Sequence, residues 1–181
     1  YLKIKKTDHI TWAKDGKATL VEYSDLQCPA CKTFHEILKK LEATDSAYPE
    51  IVKNIKLVYR HFPLTSIHKN ALKAAFAAEA AGEQGKFFEM VDLLFETQEQ
   101  WSDLDNPTDH FVNLAQKLKL NIEKFKKDIN SEKIKQKVYS DMRSGEKLKI
   151  FGTPTFFLNG KKLEFKTPQE FIEKLKAASV N

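Results

Sequence analysis

The chain has 181 residues, 41% hydrophobic and 30% charged, with a formal net charge of +5. That length fits one domain, or one domain carrying a large insert, and can bury a core without disulfides or a metal. With 13 Phe, 5 Tyr and 2 Trp the composition excludes a disordered tail, and no run approaches the ~18 consecutive apolar residues of a membrane-spanning helix. Of the 30 basic residues only Arg60 and Arg143 are Arg, and the lysines interleave with acids, as in Lys39–Glu42 and Glu123–Lys127. A solvated surface is expected, with no nucleic-acid partner, because specific readers of nucleic acid lean on Arg for bidentate contacts.

Residues 18–24, Ala-Thr-Leu-Val-Glu-Tyr-Ser, read as a buried strand holding one acid, Glu22. From Cys28 to Leu41 the apolar positions Phe34, Ile37, Leu38 and Leu41 recur at helical spacing. Ile55 to Phe62 returns to strand chemistry and stops at Pro63, so the opening has the pattern of a parallel βαβ unit. From about His68 to Leu148 the chain shows only helical periodicity and polar connectors. Its stripes are Ala71, Leu72, Ala75, Phe76 and Ala78; Phe87, Phe88, Val91, Leu94 and Phe95; Phe111, Leu114, Ala115 and Leu118; and Ile134, Val138 and Met142. Gly82 to Gly85 and Asn106-Pro107 punctuate them, and Asn130-Ser131 opens the last. Thr155 to Leu158 is then a short strand, Asn159-Gly160 a two-residue hairpin turn, and Lys162 to Phe165 the partner strand. Thr167-Pro168-Gln169-Glu170 supplies an N-cap, a Pro at the first helical position and a capping-box Glu for a final helix through Leu175.

Both cysteines fall in Cys28-Pro29-Ala30-Cys31, directly after a strand and at the start of a helix. Pro29 suits the first helical position, which puts Cys28 at the N-cap with free backbone N–H groups and the positive end of the helix dipole aimed at its sulfur. Those groups stabilise a thiolate, so Cys28 is the expected low-pKa thiol and Cys31, one turn in, the shielded one. A metal reading competes, because His35 lies four residues after Cys31 and Cys28, Cys31 and His35 could supply three ligands. A structural zinc site needs four, and no second C-x-x-C or H-x-x-x-H pair exists. Redox chemistry without metal or cofactor is therefore the expectation, and His35 is expected to be a surface or groove histidine whose loss leaves thiol exchange nearly untouched. Gly152-Thr153-Pro154-Thr155 precedes the short strand. On residues alone an ordinary trans prolyl bond at a strand start is the expectation, since cis bonds are a small minority of X–Pro bonds.

A strand, C-P-x-C opening a helix, a helical block, and then G-T-P-T-F-F-x-N-G before a hairpin and final helix resemble the DsbA-like thiol:disulfide oxidoreductases. The resemblance covers nearly the whole chain from about residue 8. It implies an α/β, thioredoxin-like fold with an inserted all-helical domain: residues 1–64 and 149–181 form the thioredoxin parts, and 65–148 the insert. It implies Cys28 as nucleophile, Cys31 as resolving thiol and Pro154 as a cis-proline against the sulfurs. Thr153, Pro29 and Ala30 then fall at the substrate-binding surface, with the main chain of Thr153 pairing to an extended substrate segment. A family acid six residues before the first cysteine falls on Glu22, where a buried carboxyl can take up a proton as the thiolate forms or leaves. Lys56 and Arg60 on the following strand are its candidate cationic neighbours. Where strong oxidants of the family often carry His, this chain has Ala30, which can neither donate a hydrogen bond nor lend charge to Cys28.

The function implied is a DsbA-like oxidase that donates its Cys28–Cys31 disulfide to cysteine-containing extracytoplasmic proteins. A membrane quinone-linked, DsbB-like oxidase would reset it, and a thiol reductase or isomerase is the alternative on the same scaffold. The chain begins at Tyr1 rather than Met, as after removal of a signal or anchor, and a monomer in the periplasm or on the outer face of the cytoplasmic membrane is expected. Trp12 and Trp101 are expected to be packing or rim residues, the Phe87–Phe95 stripe core, and His61 and His68 groove candidates.

Overall fold

The computed structural model of the protein describes residues 2–180, and whatever precedes Tyr1 lies outside them. In chain order the elements are β1 (His9–Trp12), β2 (Ala18–Ser24), α1 (Pro29–Glu42), α2 (Pro49–Asn54), β3 (Ile55–His61), α3 (Ala71–Gly82), α4 (Phe87–Glu96), α5 (Gln98–Trp101), α6 (Thr108–Lys117), α7 (Ile122–Asp128), α8 (Glu132–Lys147), β4 (Thr155–Leu158), β5 (Lys161–Lys162) and α9 (Pro168–Ser179). The five strands form one sheet in the order β1-β3-β2-β4-β5. β2 and β3 run parallel, as a βαβ crossover requires, and every other pair is antiparallel.

Alternation along the central strands sends successive side chains to opposite layers. Leu20, Leu57 and Phe156 face α1, α2 and α9, where Leu38, Leu41, Ile51, Phe171 and Leu175 complete one core. Val21, Tyr23, Val58 and Phe157 face the other way, toward Phe62 and Ile150. A third core lies among the helices between β3 and β4, around Met90, Leu94, Phe95, Trp101, Phe111 and Phe125, and it runs up to Cys28, Cys31 and Tyr59. Its central helix is α3, in which Ala74, Ala77, Ala78, Ala80 and Ala81 are all buried. Their small side chains let α4, α6, α7 and α8 all pack against α3.

Four elements escaped the sequence reading: β1, α2, α5 and α7. The hairpin partner of β4 is also shorter than expected. β5 is Lys161–Lys162 alone, after a turn in which Asn159 and Gly160 have φ of 49° and 82°. Leu163 N still donates to Phe156 O at 2.8 Å, and beyond it Phe165 leaves the ladder to pack under α9, where it meets Phe34 and Phe171 at 5.3 and 5.1 Å between ring centroids. Apolar burial thus wins over a longer two-stranded ribbon at an exposed edge. The final helix runs on to Ser179, and its capping differs by one residue from the expected box. Thr167 Oγ1 accepts from Glu170 N at 3.1 Å, but the Glu170 carboxylate accepts from Lys166 N at 2.8 Å rather than from Thr167.

Candidate active site: a dithiol at a helix N-terminus

β2 ends at Ser24, and a short loop delivers the chain to α1 with Pro29 at its first position. Asp25 shapes that loop. Its Oδ1 accepts from Gln27 N at 2.8 Å, and its Oδ2 accepts from Leu64 N at 2.8 Å and lies 2.7 Å from His68 Nδ1. Gln98, on α5, donates from Nε2 to Leu26 O at 2.8 Å and Cys28 O at 3.1 Å. Gln27 reaches back, its Oε1 accepting from Asn70 N at 2.8 Å. These buried polar side chains tie the cysteine loop to the helical block, and each satisfies loop backbone that would otherwise be unpaired. Sequence reading missed Asp25 and Gln98. An Asp three residues before an N-cap is a turn-forming signal that could have revealed the first; nothing local marks Gln98.

Cys28 is the N-cap of α1, 7% exposed, and Cys31 is fully buried; both are free thiols. Pro29 and Ala30 between them are exposed. The Thr153–Pro154 peptide bond is cis, which overturns the trans bond expected from residues alone and matches what the family resemblance implied. It faces the dithiol, with Cys28 Sγ 3.5 Å from Thr153 O, while Asp25 N donates to Cys31 Sγ at 3.4 Å. The Cys31 thiol beside Cys28 is the largest influence on it. With the backbone N–H groups of Cys31 and Ala30 and the nearby Thr153 side chain, and against the effect of burial, it pulls Cys28 down to about 5. Burial, then the neighbouring Cys28, pushes Cys31 well above the ordinary thiol range. The pair is polarised: a thiolate at the helix end and a protonated thiol behind it.

Glu22 lies beneath, 2% exposed, with burial pushing its carboxyl up to about 7 against the opposing influence of His35 and Ser24. The two candidate cations are ruled out by register. Glu22 pairs with Tyr59 and Tyr23 with Arg60, so Lys56 and Arg60 project from the opposite face of the sheet. Arg60 is engaged there, donating to both carboxylate oxygens of Asp8 at 3.0 and 2.8 Å and to Tyr23 Oη at 3.0 Å. The basic side chain that opposes the upward shift of Glu22 is His35, from α1.

His35 Nε2 lies 2.8 Å from Asp92 Oδ1, and its ring stacks on Phe95 at 4.7 Å. Its ring nitrogen is thus engaged by Asp92, and among the described residues no group of three or more His, Cys, Asp or Glu could hold a metal ion. His68 sits at the active-site face, where it lines a groove of about 620 Å³ with Gln27, Pro29 and Gln98. His61 does not, being 1% exposed with Nε2 3.0 Å from Glu79 Oε1 on α3. Trp101 and the Phe87–Phe95 stripe are helical core, and Trp12 donates from Nε1 to Glu42 Oε1 at 2.8 Å.

A polarised cysteine pair at a helix N-terminus, opposite a cis-prolyl bond on a thioredoxin-like sheet, defines a thiol:disulfide oxidoreductase. The chain belongs to the thioredoxin family: the family model described as thioredoxin matches residues 5–177. Its fold is that of DsbA-like proteins. It superposes on oxidised BdbD from Bacillus subtilis with a TM-score of 0.81 at 23% identity, covering 97% of this chain and 95% of that one. It superposes on alpha-DsbA1 from Wolbachia pipientis with a TM-score of 0.79 at 26% identity, covering 99% and 96%. In sequence it is 35% identical over 155 residues to the Na(+)/H(+) antiporter NhaA 1 of Salinispora arenicola, a match spanning 86% of this chain but 22% of that protein. The chain thus corresponds to about a fifth of the length of that relative.

Proposed function

We propose that this protein is a disulfide donor acting on cysteines of extracytoplasmic proteins, with Cys28 as the attacked and attacking sulfur. A substrate thiolate attacks Cys28 Sγ, the Cys28–Cys31 bond breaks, and Cys31 leaves and takes up a proton. A second substrate thiolate then attacks the substrate sulfur of the mixed disulfide and expels Cys28 as a thiolate. The substrate is oxidised and the protein reduced, and a quinone-linked, DsbB-like membrane oxidase returns it to the disulfide. Extended substrate would pair with the main chain of Thr153 beside Pro154 and pass over the exposed Pro29 and Ala30. Phe151, 90% exposed, and Ile67, 69% exposed, offer apolar contacts beside that path.

The observation that carries this reading is the Cys28 thiol near 5. A thiolate of low basicity is a fast leaving group, and it stabilises the reduced protein. Moving a thiol from 9.0 to about 5 favours the reduced form ~100-fold at pH 7, or ~60 mV toward an oxidising potential. The Ala30 side chain supplies no part of this; the Cys31 thiol, the backbone amides of Ala30 and Cys31, and Thr153 do. Among the described residues no helix is long and apolar enough to cross a membrane.

The test is the Cys28–Cys31 reduction potential, measured by equilibration against glutathione buffers. A value above about −150 mV is expected, toward the oxidant end of the thioredoxin-fold scale. A value near ~−250 mV would keep the dithiol chemistry and make the protein a reductase or isomerase.

A further inference from the structure

Between the sheet and α1 lies a small internal cavity of about 70 Å³ whose wall includes Glu22, His35, Lys39, Tyr59 and Asp92. That is more room than one water requires. Glu22 Oε1 and Tyr59 Oη, of its wall, are fully buried, and neither makes a hydrogen bond of good geometry to another protein group. Buried polar atoms of this kind are held ready for a proton or a water rather than for packing. Tyr59 pairs with Glu22 across the strands and packs in the same core cluster as Cys28 and Cys31, so its phenol is near both the carboxyl and the dithiol.

Every charged group that could answer Glu22 can be placed. From α1 come His35, Lys39 and Glu42, from α4 Asp92, and from β3 only the Tyr59 phenol. Lys39 is committed outward, 2.7 Å from Glu42 Oε2 and 3.3 Å from Asp92 Oδ2, with its side chain 45% exposed. His35 is 15% exposed and fixed in orientation by Asp92 on one side and the Phe95 ring on the other. A ring so held stays at the cavity wall and cannot swing into solvent.

We propose that His35, clamped by Asp92 at the cavity wall, is the cationic partner of Glu22 and governs when that carboxyl holds the proton it exchanges with Cys31. His35 touches neither sulfur and acts through Glu22 as a positioning residue. In the donor reaction the leaving Cys31 thiolate takes the proton of the Glu22 carboxylic acid, and the resulting carboxylate is stabilised by the imidazolium until solvent returns a proton. This rests on the disulfide-exchange reading above, and it revises the expectation that His35 is a bystander: Cys28 attack survives its loss, but the pH dependence of the reaction shifts.

The experiment follows two observables in the oxidised full chain. One is the Glu22 carboxyl titration by ¹³C NMR. The other is the rate at which dithiothreitol opens the Cys28–Cys31 disulfide from pH 5 to 9, normalised to thiolate concentration. In the native protein the normalised rate should fall on a limb that tracks the Glu22 midpoint, and in Glu22→Gln that limb should vanish. His35→Gln should move the midpoint and the limb together to higher pH, and His35→Lys, which keeps the charge, should hold both at or below their native positions. If His35→Gln does not fold, His35→Asn takes its place with the same expectation. A His35→Gln titration that overlays the native one, or equal shifts in His35→Gln and His35→Lys, would overturn the assignment while leaving disulfide exchange intact. A native protein whose disulfide dithiothreitol opens no faster than that of a free peptide would instead overturn the exchange reading itself.

Discussion

One atom sets the chemistry at the residue scale: Cys28 Sγ, whose surroundings favour its charge. Three influences lower its pKa, namely the Cys31 thiol, the first backbone amides of α1 and the Thr153 side chain, whose buried Oγ1 makes no well-formed hydrogen bond in the resting pair. The first two come with any C-x-x-C motif at a helix start, but the third depends on the residue before the cis-proline. Thr153→Val keeps the shape and removes the donor. A hydrogen bond to a charged group is worth ~1.5 kcal/mol or more, about one pH unit. The midpoint of Cys28 alkylation by iodoacetamide should therefore rise from about 5 to roughly 6, with thermal stability unchanged. A midpoint that stays put would mean that the hydroxyl does not reach the thiolate.

At the scale of elements, the fold is a contest between local signals and packing, and the outcome shows what a sequence can reveal. β2, α1, β3 and β4 announce themselves because their apolar periods are long and their ends are marked by Pro, Gly or a cap. Ser131 and Thr167 were readable as caps, and each accepts from the amide three residues on, Ile134 N and Glu170 N. β1 has four half-buried residues and no turn signal before it; only its pairing with β3 makes it a strand. α5 is a single turn held by Trp101, whose Nε1 donates to Leu94 O at 2.9 Å. The Glu22 partner was misassigned for a related reason. Lys56 and Arg60 were near in sequence pattern, but a strand's alternation places them on the far face, and the basic side chain that bears on Glu22 comes from a helix. The dithiol and Pro154 were legible because their chemistry lies in contiguous motifs; Gln98, Asp92 and the role of His35 were not, because tertiary packing creates them.

Gly145 gives the same contest a measurable form. It sits within α8, where Ala would ordinarily stabilise a helix by ~1 kcal/mol. Here a Cβ would lie 2.6 Å from Phe62 Cδ2 and Cε2 and 3.3 Å from Tyr23 Cδ1. Phe62 closes the core at the end of β3, so its ring cannot swing away without disturbing Tyr23, which it meets edge-on at 6.4 Å. Overpacking of this kind costs ~1–3 kcal/mol, more than the propensity gain. Gly145→Ala should lower the urea midpoint, with a net loss of about 1 kcal/mol in unfolding free energy. A rise would show that α8 can shift away from the sheet.

For the whole molecule, buried ionisable groups set two opposing dependences of stability on pH. Burial works against the charge on Glu79, but hydrogen bonds from His61 and His9 hold its carboxyl well below the usual range. Asp8 is likewise lowered, burial notwithstanding, by Arg60 and the Lys5 amide. A depressed carboxyl contributes stability above its unfolded pKa, and that stability is lost as pH falls through the folded value, so these two define an acid limb. Glu22 has the opposite sign. Its folded value of about 7 lies above the unfolded 4.5, so its contribution is complete below 4.5 and is lost as pH rises through 7. A shift of that size corresponds to ~3 kcal/mol, the cost of keeping an ionisable acid under the dithiol where an apolar side chain would pack better.

Glu22→Gln isolates that cost, because the amide cannot ionise while the groups of the acid limb remain. In urea titrations of the oxidised protein, where Cys28 does not titrate, native and variant stabilities should coincide near pH 4. They should then diverge through pH 5 to 7, and by pH 8 the variant should be more stable by ~3 kcal/mol. Parallel curves would mean that Glu22 stays ionised in the folded protein and has no proton to give Cys31. A gain in stability accompanied by loss of the pH-dependent limb of disulfide opening would show that the buried acid is retained for proton transfer at the expense of the fold.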